Sequence, residues 1–141
     1  MSKDQQNIQY QFRSIEILEY SITPQPSQPD DKVIYHFEIK VEHKVNTDNM
    51  LLYVIADIVI SVSEERTEVG RFKSSCIFDV NDIGSYINEA SSEVNLPEEF
   101  LTILHSITLS TNRGLMFSQF RGTALHNAIM PIVNPKQFSK T

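Results

Sequence analysis

The sequence is poor in cysteine and glycine and has no run of basic residues. Its single cysteine, Cys76, cannot form an intramolecular disulfide, whereas small secreted domains usually carry several. The four glycines are too far apart for a phosphate-binding loop. A formal net charge of -6 without clustered Lys or Arg lacks the positive surface that nucleic acids require. These absences exclude a disulfide scaffold, a nucleotide loop and a nucleic-acid partner.

Long apolar runs are absent as well. The N-terminal stretch MSKDQQNIQYQF has no apolar core of the kind that a signal peptide needs. The longest uninterrupted apolar run is MLLYVIA, residues 50–56, which is far too short to span a bilayer. We therefore predict a cytoplasmic protein without membrane insertion, and a lone thiol fits such a reducing compartment.

What is present is the composition of one folded domain. Hydrophobic residues make up 40% and charged residues 21% of 141 residues, as in globular proteins of a single domain. Residues 1–11 are polar and are predicted to be a flexible arm. We assign residues 12–135 to the domain and residues 136–141 to a short C-terminal tail.

Four stretches have the pattern or composition of β-strands. The clearest is 33–45, in which Val, Tyr, Phe and Ile alternate with His, Glu and Lys. Residues 50–62 are apolar on both faces, so this strand needs cover on both sides. Residues 14–22 and 72–80 complete the set. Because consecutive strands are usually neighbours, we predict an antiparallel meander.

One long helix is predicted after the strands. Pro97 suits the first helical turn, and Glu98 and Glu99 complement the positive end of the helix dipole. The apolar stripe that follows consists of Phe100, Leu101, Leu104, Ile107 and Thr108. We expect the helix to end near Asn112, before Gly114. The predicted fold class is α+β, a four-stranded antiparallel sheet with one long C-terminal helix packed on one face.

Residues that could carry chemistry are few and separated. None of the histidines has metal-ligand spacing to another His, Cys or carboxylate; they are His36, His43, His105 and His126. Strand alternation turns Cys76 toward Phe72 and Phe78, where a thiol acts as a small hydrophobe. We therefore predict no metal site, no catalytic residue, no cofactor and no enzymatic activity.

The chain has more apolar residues than one helix can cover. A set without regular period follows the helix: Leu115, Met116, Phe117, Phe120, Leu125, Ile129, Met130, Ile132, Val133 and Phe138. On a soluble protein such residues either complete the core or form a surface for self-association, a ligand or a protein partner. We expect Pro131 and Pro135 to keep this stretch extended along the helix and the sheet.

Two segments resemble the SecB-like chaperones, namely LPEEFLTILHSITLSTNRG and RGTALHNAIMPIVNP. In that family four antiparallel strands precede a helix that runs into Arg-Gly, and the following loop ends in Pro-Val-Asn or Pro-Ile-Asn. The Arg-Gly counterpart here is either Arg113 with Gly114 or Arg121 with Gly122, and the loop counterpart is residues 131–135. The resemblance extends over residues 12–135.

The resemblance implies an ATP-independent holdase, a homotetramer of paired sheets with helices packed between them. Its partners would be unfolded or precursor polypeptides, with SecA or a toxin-antitoxin system as a further partner. Client contacts are expected from Met50, Tyr53, Leu115, Met116, Phe117 and Phe120, whose side chains are apolar or aromatic. In the family an acidic patch on the sheet docks SecA, and the candidates here are Glu16, Glu38, Glu42 and Asp57.

Two other functions remain open at this stage. A small apolar-ligand-binding protein or a cupped α+β enzyme would enclose a cavity with a buried carboxylate or His, and His43 is the one such residue on the predicted inward faces. An inert assembly subunit would instead bury its whole apolar surface between copies.

Overall fold

The computed structural model describes residues 8–23, 33–91 and 93–137, and the long strands in these ranges form one four-stranded antiparallel sheet. The elements, in chain order, are strands β1 (Tyr10–Ile22), β2 (Tyr35–Asn46), β3 (Leu51–Val62) and β4 (Thr67–Val80), a 3₁₀ turn (Ile83–Tyr86), the short strands β5 (Ile87–Asn88) and β6 (Glu93–Val94), helix α1 (Glu98–Gln119), and a last 3₁₀ turn (Pro135–Gln137). The predicted α+β class is confirmed.

The strand order is β1-β4-β3-β2, so the predicted meander is wrong for β1. Tight turns at residues 47–50 and 63–66 make β2, β3 and β4 neighbours. The connection from β1 to β2, residues 23–34, is longer. Because an extended residue spans about 3.3 Å and adjacent strands lie about 4.8 Å apart, this connection can pass two strands. The result is a Greek-key order.

Strand β1 begins at Tyr10, inside the range predicted as a flexible arm, and Tyr10 pairs with Val80 of β4. Residues 1–7 and 138–141 lie outside the described residues. For residues 1–7 and 138–141 the predicted arm and tail therefore stay predictions, whereas Ile8 packs against the core.

The pairing register gives the sheet an inner face toward α1. The inward residues of β3 and β4 are almost completely buried: Leu52, Val54, Ala56, Ile58, Ile60, Phe72, Ser74, Cys76 and Phe78. Ala56 and Ser74 are paired neighbours, and their small side chains let the helix approach closely. There the Ser74 hydroxyl donates a short hydrogen bond to Asn112 Oδ1 of α1.

Helix α1 begins at Glu98, one residue after the predicted start at Pro97, and continues past Gly114 to Gln119. A glycine inside a helix costs about 1 kcal/mol relative to alanine. The last turn buries Met116 and Phe120, each 1% exposed, and burying a large apolar side chain contributes about 2 kcal/mol. The free energy gained by burying these side chains therefore outweighs the cost of Gly114 in the helix. The sequence pattern led us to underestimate this burial.

Residues 121–134, here called the C-terminal segment, pack back along α1. The segment buries Leu125, Ala128 and Met130. Arg113 of α1 donates from Nε to the Met130 carbonyl at 3.0 Å and from Nη2 to the Pro131 carbonyl at 3.1 Å. The predicted placement of this stretch along the helix is confirmed. Of the two Arg-Gly pairs, the one at Arg113 holds the segment.

Replacing Gly70 of β4 with alanine should displace the C-terminal segment. A Cβ at this position would overlap Leu125 Cδ1 and lie 3.2 Å from the Ser21 carbonyl oxygen. We expect Gly70→Ala to lower the free energy of unfolding by about 1–3 kcal/mol, measured by denaturant titration. Gly84→Ala is the control, because its Cβ would meet only the mobile Met50 methyl, at 3.2 Å. Equal losses in both variants would contradict this packing.

Arg113→Lys should loosen the C-terminal segment, because an ammonium cannot reproduce a guanidinium fork on two carbonyls. Loss of about 1–2 kcal/mol should accelerate hydrogen exchange in residues 124–133 by roughly 5–30-fold. Arg121→Lys is the control, since Arg121 lies over the Phe117 ring at 4.7 Å and holds no carbonyl of the segment. Unchanged exchange in Arg113→Lys would refute the clamp.

Candidate functional site

Strand β1 presents an apolar strip on the inner face of the sheet. The pairing with β4 is shifted between Phe12 and Ser14 and again between Ile17 and Glu19. Each irregularity inserts one extra residue into β1. Successive inward side chains are therefore two, three, two and three residues apart. We call this set the β1 strip: Tyr10, Phe12, Ile15, Ile17 and Tyr20, each between 38% and 45% exposed.

The β1 strip touches α1 near both ends of the helix. The Tyr10 ring lies 5.2 Å from the Phe100 ring in the first turn. The Tyr20 hydroxyl donates to the Gln119 carbonyl at 2.8 Å, and its ring lies 5.8 Å from that of Phe120. The helix itself lies over β3 and β4. The middle of the strip is therefore left open beside the helix.

The outward face of α1 has no charged side chain over most of its length. From the second turn onward its exposed residues are Ile103, Ser106, Ser110, Gly114, Phe117, Ser118 and Gln119. The helix carries its ionisable groups in its first turn and at His105 and Arg113. Solvated helix faces usually carry many charges, so this face has the composition of one that packs against protein.

A second exposed apolar group lies where α1 meets the C-terminal segment. Phe117 is 46% exposed and is one helical turn from Arg113, on the same side of the helix. Ile129 and Ile132 are 54% and 91% exposed, and they flank the two carbonyls that Arg113 holds. We call Phe117, Ile129 and Ile132 the terminal patch.

The residues predicted to contact clients do not form one groove. Met116 and Phe120 are each 1% exposed and pack in the core, so their side chains are not on the surface of the single chain. The Phe120 ring packs 6.2 Å from Phe72, and Met116 Sδ lies 3.4 Å from Asn112 Nδ2. Leu115 is half-buried and Phe117 exposed.

The other two predicted contacts lie elsewhere. Met50 is 38% exposed in the turn between β2 and β3. Tyr53 pairs with Lys44 and Ile77 and faces away from α1. The structure therefore separates both residues from the terminal patch.

The four acidic candidates all point to the outer face of the sheet, but basic side chains lie among them. One row across the strands reads Glu19, Lys73, Asp57 and Lys40, so its charges alternate in sign. Arg71 donates to both carboxylate oxygens of Asp57, at 3.1 and 2.8 Å, and this contact lowers the pKa of that carboxyl. Of the predicted set, Glu16, Glu38 and Glu42 are the exposed members. A uniformly acidic patch does not form among the described residues.

Two histidines, rather than the one expected, face the inside of the fold. His105 of α1 is 0% exposed and neither ring nitrogen has a hydrogen-bond partner among the described residues. Its ring centroid lies 5.7 Å from that of His43 on β2. Burial, together with His43, lowers the pKa of His105 to about 4, and burial also lowers the pKa of His43. No cluster of three potential metal ligands occurs in residues 8–23, 33–91 and 93–137.

Large side chains occupy the interior between α1 and the sheet. Phe72, Phe78, Leu104 and Phe120 fill it, with relative exposures of 0–1%. A cleft of about 470 Å³ lies at the surface between β2 and β6, and its lining is mostly polar: Glu42, His43, Lys44, Val45, Glu93, Val94 and Asn95.

Comparison with known proteins identifies the fold. No family model and no curated protein matches the sequence. None of the described helices has the length and apolarity needed to cross a membrane. Among solved structures, the Mycobacterium tuberculosis Rv1957 SecB-like chaperone, in complex with a ChAD peptide from the Rv1956 HigA1 antitoxin, is 18% identical. The match covers 88% of this chain and 90% of that one, with a TM-score of 0.54. The chain therefore has the fold of a SecB-like chaperone.

Proposed function

We propose that the protein is an ATP-independent holdase chaperone, which binds unfolded or precursor polypeptides on exposed apolar surface and catalyses no reaction. The terminal patch carries this proposal, because Phe117 is exposed on α1 and the clamp at Arg113 fixes the backbone between the exposed Ile129 and Ile132. The fold supports it, since the Rv1957 chaperone was solved with a bound peptide.

The terminal patch suits clients of many sequences. Its own side chains are apolar or aromatic, and the Arg121 guanidinium lies over the Phe117 ring. Ile34, just before β2, is 70% exposed and adds to the apolar surface of the protein. Any apolar segment that covers these groups is stabilised by about 25 cal/mol per Å² of apolar surface buried.

We propose a homotetramer as the working assembly. β1 is an edge strand of the four-stranded sheet, and a second copy can pair with it antiparallel about a twofold axis. This pairing would place the half-exposed β1 strip in a continuous sheet. The uncharged face of α1 then supplies the contact between two such pairs, which puts the helices between the sheets.

Clients are proposed to be collected in the cytoplasm, where the buried thiol of Cys76 stays reduced. Delivery to SecA would use the outer face of the sheet. Because Lys40, Lys73 and Arg71 lie among the carboxylates there, docking would depend on Glu38 and Glu42 of the edge strand β2. A toxin-antitoxin client is the other possibility that the resemblance raised, and the peptide in the Rv1957 complex makes it the one to assay first.

The holdase function is tested by measuring how far the protein suppresses the aggregation of a chemically unfolded client. The assay contains no nucleotide and uses protein of known oligomer mass. We expect protection to saturate near one client per oligomer. Phe117→Asp should weaken client binding about tenfold or more, because a charge replaces an aromatic contact. Phe117→Leu, which stays apolar, should keep most of the affinity. Full protection by a folded Phe117→Asp oligomer would remove the terminal patch from the binding site.

Ser110→Glu should break the contact between helices. Ser110 is exposed on α1 in the single chain, so the change should alter the stability of an isolated subunit by less than about 0.5 kcal/mol. In the tetramer it would bury an unpaired carboxylate. Light scattering should therefore show the mass halved, whereas the equally charged control Thr47→Glu, in an exposed turn, should leave it unchanged. An intact tetramer in Ser110→Glu would refute this interface.

A further inference from the structure

His105 lies in the core next to the half-buried His43, and its ring nitrogens have no hydrogen-bond partner among the described residues. A buried imidazole normally donates one N–H and accepts at its other nitrogen. Within the part of the chain that the structure describes, His105 does neither, although it is 0% exposed. Leaving a buried polar group without a hydrogen bond is costly, and an apolar residue of similar size would pack there more favourably.

The position of the pair allows it to affect how the N-terminal half of α1 is held on the sheet. His105 lies in the N-terminal half of α1, and His43 lies on β2, which is an edge strand. The other end of the helix is fastened independently, by Arg113 to the C-terminal segment and by Tyr20 to the Gln119 carbonyl. The contact between the two rings therefore lies in the half of the helix that, among the described residues, has fewer hydrogen bonds to the rest of the fold.

Protons can reach the pair from solvent. His43 is half-buried and lines the cleft of about 470 Å³ between β2 and β6. The ionisable side chains around the pair are Glu42 and Lys44 on β2, Glu93 on β6, Cys76 on β4, and Glu98 and Glu99 in the first turn of α1. Among these, Glu42 favours the charged form of His43. The inward residues of β3 include no ionisable group.

We propose that His43 and His105 form a proton-sensitive lock that holds the N-terminal half of α1 on the sheet while both rings are neutral and releases it when they are protonated. Charging His105 would place an unpaired cation in the core and oppose it to a second ring 5.7 Å away. Release would expose the inner faces of α1 and β3. The lock does not depend on the proposed holdase function.

The pH range follows from the shift of His105. Its pKa is about 4 in the folded protein and 6.5 in an ordinary setting, so the unfolded or released chain binds more protons between these values. The lock is therefore complete above about pH 6.5 and weakens as the pH falls toward 4.

Cys76 provides a built-in reporter, because it is 0% exposed, faces α1 and lies close to Thr108 and Thr111 of the helix. Its reaction with 4,4′-dithiodipyridine would be followed from about pH 7.5 to 4 in the native oligomer, relative to the denatured chain at each pH. We expect protection to be constant above about pH 6.5 and then to fall by up to tenfold per pH unit for one proton. Constant protection across the range would overturn the proposal.

His105→Leu should give Cys76 protection that does not change with pH. The substitution removes the titrating group, and leucine fills the space of the imidazole in the core. His36→Gln is the control, since His36 lies on the opposite face of β2, and it should keep the wild-type fall. An equal fall in folded His105→Leu would assign the effect to carboxylates and overturn the lock. If that variant does not fold, NMR titration of the wild-type imidazoles decides, and an ordinary pKa for His105 would refute the proposal.

Discussion

The burial of one sheet face by a single helix is the constraint on which the other features depend. α1 lies over β3 and β4, the two central strands, and the side chains between them are almost completely buried. A helix is about 10 Å wide and a four-stranded sheet is wider, so the edge strands receive less cover. The half-exposed β1 strip on one side and the cleft beside β2 on the other follow from this mismatch.

The C-terminal segment reduces this mismatch only partly, so some apolar side chains stay exposed on the surface. Its Leu125 fits against Gly70, where any larger residue would overlap it. Arg113 then fixes the Met130 and Pro131 carbonyls, so the isoleucines that flank them stay in solvent. The proposed holdase function needs exposed apolar groups that do not collapse onto the protein's own core, and a charged clamp to backbone carbonyls would keep them exposed.

The sequence predicted the elements better than their arrangement. Strict alternation in β2 and the charged first turn of α1 were readable because each depends on local chemistry. The β1 strip was missed because two bulges change its spacing from two to three, which matches neither a strand nor a helix period. The pairing of β1 with β4 and the burial of Met116 and Phe120 depend on contacts between distant residues. Resemblance supplied the fold, and the 18% identity of the Rv1957 chaperone explains why sequence comparison alone did not.

The central claim is that clients bind at the terminal patch while β1 and the face of α1 hold the assembly together. Hydrogen exchange of the oligomer with and without an unfolded client tests this most directly. The account predicts client-dependent protection in residues 115–134, and protection of residues 10–22 that is the same with and without client. Client-dependent protection confined to the outer face of the sheet, in β2 and β3, would contradict it.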